Sequence, residues 1–394
     1  MRATRSPVHA DALPAAAFTA LAAAFVVVSL AGFARAEQTK APAAPRSSVT
    51  VEVVAKGLEH PWGLAFLPDG RMLVTERPGR VRIVSRDGKL SRPLAGVPQV
   101  AATGQGGLLD IVLAPSFERS RLVYLSFSEP RGGRANATAV AKARLVGTQG
   151  EERLEDVEVI FRQQPTHRGG LHFGARLVFA PDGNLFVTLG ERSEMRFAQD
   201  LTRTWGKVVR IAADGSVPSD NPFVSRKDAQ PEIWTYGHRN PQAAAINPAT
   251  GGLWVIEHGP RGGDEVNVIE RGANYGWPVI GYGIDYSGAR IHEGTHKEGM
   301  KQPAYYWVPS IAPSGMAFYT GSLFPDWKGN LLVGALLEKT LHRLVLDGQS
   351  IVAEEVLLRD RGERIRDVRQ GPDGAVWLLT DEDAGSLLRL IPKS

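Results

Sequence analysis

The sequence predicts an all-β fold, a six-bladed β-propeller of antiparallel four-stranded blades. Three observations point there. A hairpin unit recurs six times along the chain, extra strand-like runs follow several of the copies, and the composition suits short strands joined by tight turns, with 43 Gly, 26 Pro and no cysteine in 394 residues.

The clearest copies are residues 61–76, 173–188 and 365–381, each with a Pro-Asp-Gly turn, at Pro68-Asp69-Gly70, Pro181-Asp182-Gly183 and Pro372-Asp373-Gly374. Looser copies occupy 108–127, 243–257 and 315–335, with turns at Pro115-Ser116-Phe117, Asn247-Pro248 and Pro325-Asp326. In every copy two apolar runs flank turn chemistry, which is the pattern of a hairpin whose strands are largely buried. Runs such as Arg80-Val81-Arg82-Ile83-Val84 and Lys207-Val208-Val209-Arg210-Ile211 add a third strand, and related runs lie at 341–345 and 387–391. The turns are about 47 to 77 residues apart, which fits blades with insertions. A solenoid is the alternative, but polar capping repeats are not evident at the ends.

Ahead of the repeats, Arg2 and Arg5 precede an apolar stretch over 13–33 that ends in Ala34-Arg35-Ala36. That layout predicts a secretory signal peptide over 1–36, with a membrane anchor as the alternative reading. Residues 37–49, rich in Ala and Pro, then read as a flexible linker, and 50–394 as the propeller. The chain is expected to be periplasmic or secreted, without stable membrane insertion after cleavage. Its formal charge, +4, is too balanced to imply nucleic acid or an anionic membrane as partner.

A ring gathers loops from distant parts of the chain on one face, so unusual loops at matching places carry the functional signal. The loop Thr166-His167-Arg168-Gly169-Gly170-Leu171-His172-Phe173-Gly174 offers His172 as a proton acceptor, or as a hydrogen-bonded turn histidine. Tyr236-Gly237-His238-Arg239-Asn240-Pro241-Gln242 sets a cation and an amide in a stiff turn, suited to an anionic or quinonoid ligand; a structural arginine between blades is the other reading. His258-Gly259-Pro260-Arg261-Gly262-Gly263-Asp264-Glu265 concentrates carbonyls and carboxylates of the kind calcium prefers, and Asn274-Tyr275-Gly276-Trp277-Pro278 follows. Gln105 sits in a Gly-rich loop. Arg364 and Arg366, at strand spacing, either grip carboxylates together or form a solvated edge. Zinc-peptidase, serine-hydrolase, NTPase and nicotinamide motifs are missing from the sequence.

Taken together, residues 58–390 resemble the soluble sugar dehydrogenases that use pyrroloquinoline quinone (PQQ), the glucose/sorbosone or aldose sugar dehydrogenase type. The most specific pieces are Tyr-Gly-His-Arg-Asn-Pro-Gln at 236–242, Glu-His-Gly-Pro-Arg-Gly-Gly-Asp-Glu at 257–265 and Asn-Tyr-Gly-Trp-Pro at 274–278. The resemblance implies PQQ and calcium as cofactors and a small sugar or polyol as substrate; it leaves the electron acceptor unidentified. It implies His172 as general base and Arg239 as the cation facing the quinone oxygens. Asn240 and Gln105 become further cofactor contacts, and Arg364 and Arg366 partners of the cofactor carboxylates. The carbonyls of Gly259 and Pro260 would bind one calcium, and Glu265 with Tyr275 a second, structural one. Two positions depart from the pattern. Leu171 stands where a polar residue often precedes the base, and Leu337 where the family has a cofactor lysine. A calcium-dependent propeller lactonase and a non-catalytic periplasmic binding propeller are the competing expectations.

Overall fold

The structure is a computed structural model that describes residues 41–393; the signal peptide expected over 1–36 and the start of the linker lie outside the described residues. Among the described residues the strands form six antiparallel sheets. The first blade comprises Pro61–Phe66, Met72–Glu76 and Arg80–Val84. It has three strands rather than the expected four, because the chain after Val84 returns along that strand only through an isolated Val84–Leu90 bridge and single main-chain bonds from Ser91 and Leu94, which do not build a ladder.

The second to fifth blades have four strands each, and their innermost strands are Leu108–Leu113, Gly174–Phe179, Pro241–Ile246 and Pro313–Phe318. The sixth blade joins Ile365–Gln370, Val376–Thr380 and Gly385–Pro392 to Val49–Leu58, the first described strand, which pairs antiparallel with Gly385–Pro392. The innermost strands pack in succession and the sixth returns to the first, so the array is a closed ring and not a solenoid.

Strand periodicity explains why the ring closes. In a strand, alternate side chains face opposite sides, and here both sides are buried against neighbouring blades. Trp254 and Ile256 pack toward Met316 and Val333 of the fifth blade, while Val255 between them packs with Phe186 and Val208 of the third. Leu331 and Val333 face the fourth blade, and Leu332 faces Val376 and Leu378 of the sixth. The blade seams are therefore the hydrophobic core. A smaller cluster of Trp62, Leu109, Phe173 and Ala175 gathers residues from the innermost ends of the first three blades.

The looser repeats depart from plain hairpin turns. A single helical turn, Phe117–Ser120, connects the second blade's inner strands, and the 3-10 turn Pro325–Trp327 does so in the fifth. The linker expected over 37–49 is not free where it is described. Ala44 donates its amide to the Glu354 carbonyl, Arg343 donates to the Pro45 carbonyl, and Trp327 donates its indole N–H to Ser47, so this stretch lies along the edge strand Ser350–Leu357. Among the described residues no helix is long and apolar enough to cross a membrane.

Candidate active site

The candidate side chains sit on two kinds of connection: the segments that enter an innermost strand, and the loops that leave the strand beside it. His172 and Arg239 precede the inner strands of the third and fourth blades, and Gly259 follows the second strand of the fourth. These connections open on the same end of the ring, because each enters a first strand or leaves a second one that runs antiparallel to it.

His172 is held from several directions. Its backbone is left-handed (φ +51°), its amide donates to Oε1 of Gln105 at 2.8 Å, and its Nδ1 lies 2.9 Å from Oε1 of Glu191. A carboxylate only accepts, so Nδ1 carries the proton and Nε2 is the unprotonated, accepting nitrogen. Burial pushes the His172 pKa below its ordinary value, with Glu191 opposing and the cations of Arg239 and Arg192 adding to the depression. A neutral imidazole at physiological pH follows, as a general base needs.

The backbone around it leaves no spare room. A Cβ on Gly190 would lie 2.0 Å from the His172 carbonyl oxygen, and Gly174 needs its positive φ of 67°. Arg192 lies over the Phe173 ring and donates Nε to the Leu171 carbonyl at 2.9 Å and Nη2 to the Gly169 carbonyl at 2.8 Å. Leu171 itself is about half exposed, so the loop's orientation comes from its main chain and not from its side chain. The loop's other histidine, His167, is structural: its backbone bridges Asn136 and its ring packs on Trp205.

Asn240 faces the same loop, its Oδ1 accepting from the Gly174 amide and from Nε2 of Gln242, each at 3.2 Å. Gln242 also accepts from Nη1 of Arg366 at 3.2 Å. Arg366 donates Nη2 to Asp381 at 2.5 Å, and Nη2 of Arg364, just ahead of the strand, lies 3.9 Å from the same carboxylate. Arg366 is buried and its Nε has no hydrogen-bond partner, which sets aside the solvated-edge reading for this residue. A hydrogen-bonded network thus runs from the main chain of Gly174, two residues after His172, through Asn240 and Gln242 to Arg366.

Arg239 donates Nη1 to the carbonyls of His258 (3.1 Å) and Gly259 (2.9 Å), and its guanidinium lies 5.4 Å from the Trp277 ring centroid. Gly259, Pro260, Glu265, Tyr275 and Arg239 line one cavity of about 20 Å³, room for one ion or water. Two carboxylates stand beside it: Asn267 donates Nδ2 to Glu257 at 3.1 Å and to Glu265 at 3.2 Å. Burial pushes Glu265 well above the usual carboxylate range, and the Glu257 charge adds to it. The Tyr275 phenol is committed elsewhere, donating to the Val268 carbonyl and accepting from the Glu270 amide, so only its main chain is available to a ligand. Asp264 fixes the 259 loop from below. It accepts from the amides of Gly259 and Ile311 and from Ser310, and burial holds its pKa up at about 6.

Glu191 and Arg192 are neighbours of the site that no local motif marks, and Gln242 ends the 236–242 motif without having been given a role of its own. Glu191 alone leaves a trace in sequence, since Glu257 and Asp381 also lie at or beyond the ends of second strands and also meet histidines, His238 at 2.8 Å and His60 at 2.9 Å. Nearer the ring's axis, Arg176 lies 3.0 Å from Asp110 and 3.1 Å from Asp367, and Arg369 pairs with both carboxylates.

Residues 58–389 match the family described as Glucose / Sorbosone dehydrogenase. The chain is 48% identical over 355 residues to the aldose sugar dehydrogenase YliI of Escherichia coli K12, covering 89% of this chain and 95% of that protein. A solved glucose dehydrogenase shares 53% identity with a TM-score of 0.85, over 88% of this chain and all of that one. The PQQ-bound aldose sugar dehydrogenase of Streptomyces coelicolor shares 29% identity with a TM-score of 0.73 and the same coverage. The chain belongs to the glucose/sorbosone dehydrogenase family.

Proposed function

We propose that this chain is an exported PQQ- and calcium-dependent dehydrogenase that oxidises an aldose or related alcohol to the lactone or carbonyl product. The observation that carries the proposal is the His172–Glu191 pair: a buried, neutral imidazole whose Nδ1 is tied down and whose Nε2 is left to accept a proton.

The residues fit both groups. The orphaned Nε of Arg366, beside Arg364, suits an anionic ligand, and Gln105 lies at the His172 loop. The Gly259 carbonyl already faces a cation, the Arg239 guanidinium, and Glu257 with Glu265 supplies negative charge beside a cavity of ion size. PQQ would be held by Arg239, Asn240, Gln105, Arg364 and Arg366, and calcium by the Gly259 and Pro260 carbonyls, with Glu265 and the Tyr275 main chain at a second ion. When bound, the quinone supplies a two-electron acceptor for hydride from the carbinol carbon, and calcium supplies a Lewis acid.

The protein's own part is positional and electrostatic. Nε2 of His172 takes the hydroxyl proton, Glu191 keeps the ring's tautomer and angle and stabilises the imidazolium that forms, and Arg239 sets a fixed positive charge beside the reacting centre. The lactonase alternative is disfavoured because Asp110 and Asp367 are each paired with Arg176 and Arg369 and are not open to a channel metal.

Reconstitution tests the proposal. Purified apoprotein mixed with PQQ and calcium should reduce a dye in the presence of aldoses, and omission of either cofactor should abolish the signal. Lactone hydrolysis without PQQ would favour the lactonase, and absence of PQQ binding would favour a binding propeller.

A further inference from the structure

Arg77 follows the second strand of the first blade, at the end of the ring where Arg364 and Arg366 enter from the sixth. Its main-chain amide donates to the His60 carbonyl at 3.1 Å. The His60 ring in turn bridges Asp381 and Asp383 at 2.9 Å each, and Asp381 is the carboxylate that Arg366 and Arg364 share. Asp383 is 98% exposed, and Glu382 accepts the main-chain amide of Arg364. Arg77 itself is half-buried and makes no ion pair among the described residues. Its one side-chain bond runs from Nη1 to the Gly104 carbonyl at 3.2 Å. Burial depresses its pKa, Asp381 opposes this, and the nearby charges of Arg366 and Arg364 add to the depression.

A partly desolvated guanidinium that makes no ion pair of its own, near an Asp381 carboxylate already shared by Arg364 and Arg366, keeps charge to spare for an anion. Leu337, where the resemblance places a cofactor lysine, is 62% exposed and uncharged.

We infer that Arg77 is a third carboxylate-binding arginine of the site, completing with Arg364 and Arg366 a cationic rim for the acidic groups of the cofactor. The inference rests on the proposed PQQ reading and extends it to a residue on another blade. Through Gly104, Arg77 also braces the loop of Gln105, whose side chain accepts the His172 amide.

The test is equilibrium binding to calcium-loaded apoprotein of PQQ and of its trimethyl ester, which lacks the negative charges. Arg77→Gln should weaken PQQ about tenfold or more, the scale of one lost charge-assisted hydrogen bond, and leave the ester within about twofold of wild type. Arg77→Lys, which keeps the charge if the glutamine variant does not fold, should weaken PQQ by a few fold and spare the ester. Equal losses for PQQ and ester, or no loss for either, in a folded variant would overturn the inference and leave Arg77 a loop brace. Failure of the wild-type protein to bind PQQ at all would instead overturn the function on which it rests.

Discussion

His172 shows how one side chain becomes chemically useful through its neighbours. Burial lowers its pKa and Glu191 raises it, so the two effects compete and burial prevails. Replacing Glu191 by Gln removes the group that favours the protonated ring. The His172 pKa should therefore fall further, and the acid limb of the kcat/KM profile should move to lower pH. Turnover at neutral pH should drop by about tenfold or more, because the glutamine's one oxygen is claimed by the Glu194 amide, its NH2 then faces Nδ1, and the ring is pushed to the other tautomer. A pH profile across pH 4–8 checks both points, and an unmoved acid limb would show that Glu191 does not act on the base. Gly190→Ala should displace the same histidine by a different route, since the new methyl meets the His172 carbonyl. Its expected signature is loss of turnover with a lowered melting temperature, read by calorimetry beside the assay.

At the scale of strands and loops, the blade strands were legible in sequence because alternation and turn residues are local signals. The runs at 80–84 and 207–211 are strands as predicted, and the turn at Asp69 and Asp182 has the same form in both blades, a main-chain bond closing from Gly70 to Leu67 and from Gly183 to Ala180. The lack of a fourth strand in the first blade was not legible, since nothing local says whether Leu90 continues a ladder or makes one bridge. His172 and Gly259 stood out because each lies in a Gly-rich loop, and Arg239 because a cation and an amide stand between Gly237 and Pro241 in a stiff turn. Glu191 did not, because it meets His172 only once the first two strands of the third blade lie side by side, and Gln242, inside the 236–242 motif, gains a role only where the fourth blade meets Arg366 of the sixth. The stretch at 41–48 looked like linker by composition, yet its main-chain groups find partners on the fifth blade that no reading of Ala and Pro content reveals. Deleting residues up to 48 should therefore lower the melting temperature, where a true linker would give no change.

Across the whole molecule, stability and the site share one device, closure of the ring. Val49–Leu58 completes the sixth blade, so the ends of the fold meet in one sheet and the inner ends of the blades keep their spacing. Near the axis, Arg176 neutralises two buried carboxylates, Asp110 and Asp367, from two other blades. Arg176→Met should destabilise the protein by about 3–5 kcal/mol in denaturant unfolding, because it leaves buried negative charge without its counter-ion. A change below about 1 kcal/mol would mean that Arg369 alone suffices.

The most direct test of the central claim joins binding to chemistry in one sample. Wild-type and His172→Ala apoproteins, loaded with calcium, would each be titrated with PQQ and then mixed with an aldose while reduction of the bound cofactor is followed by absorbance in a single turnover. A buried imidazole acting as the base predicts matching PQQ affinities and reduction slowed at least about 100-fold in the variant. Reduction at the wild-type rate by a fully loaded His172→Ala protein would contradict it.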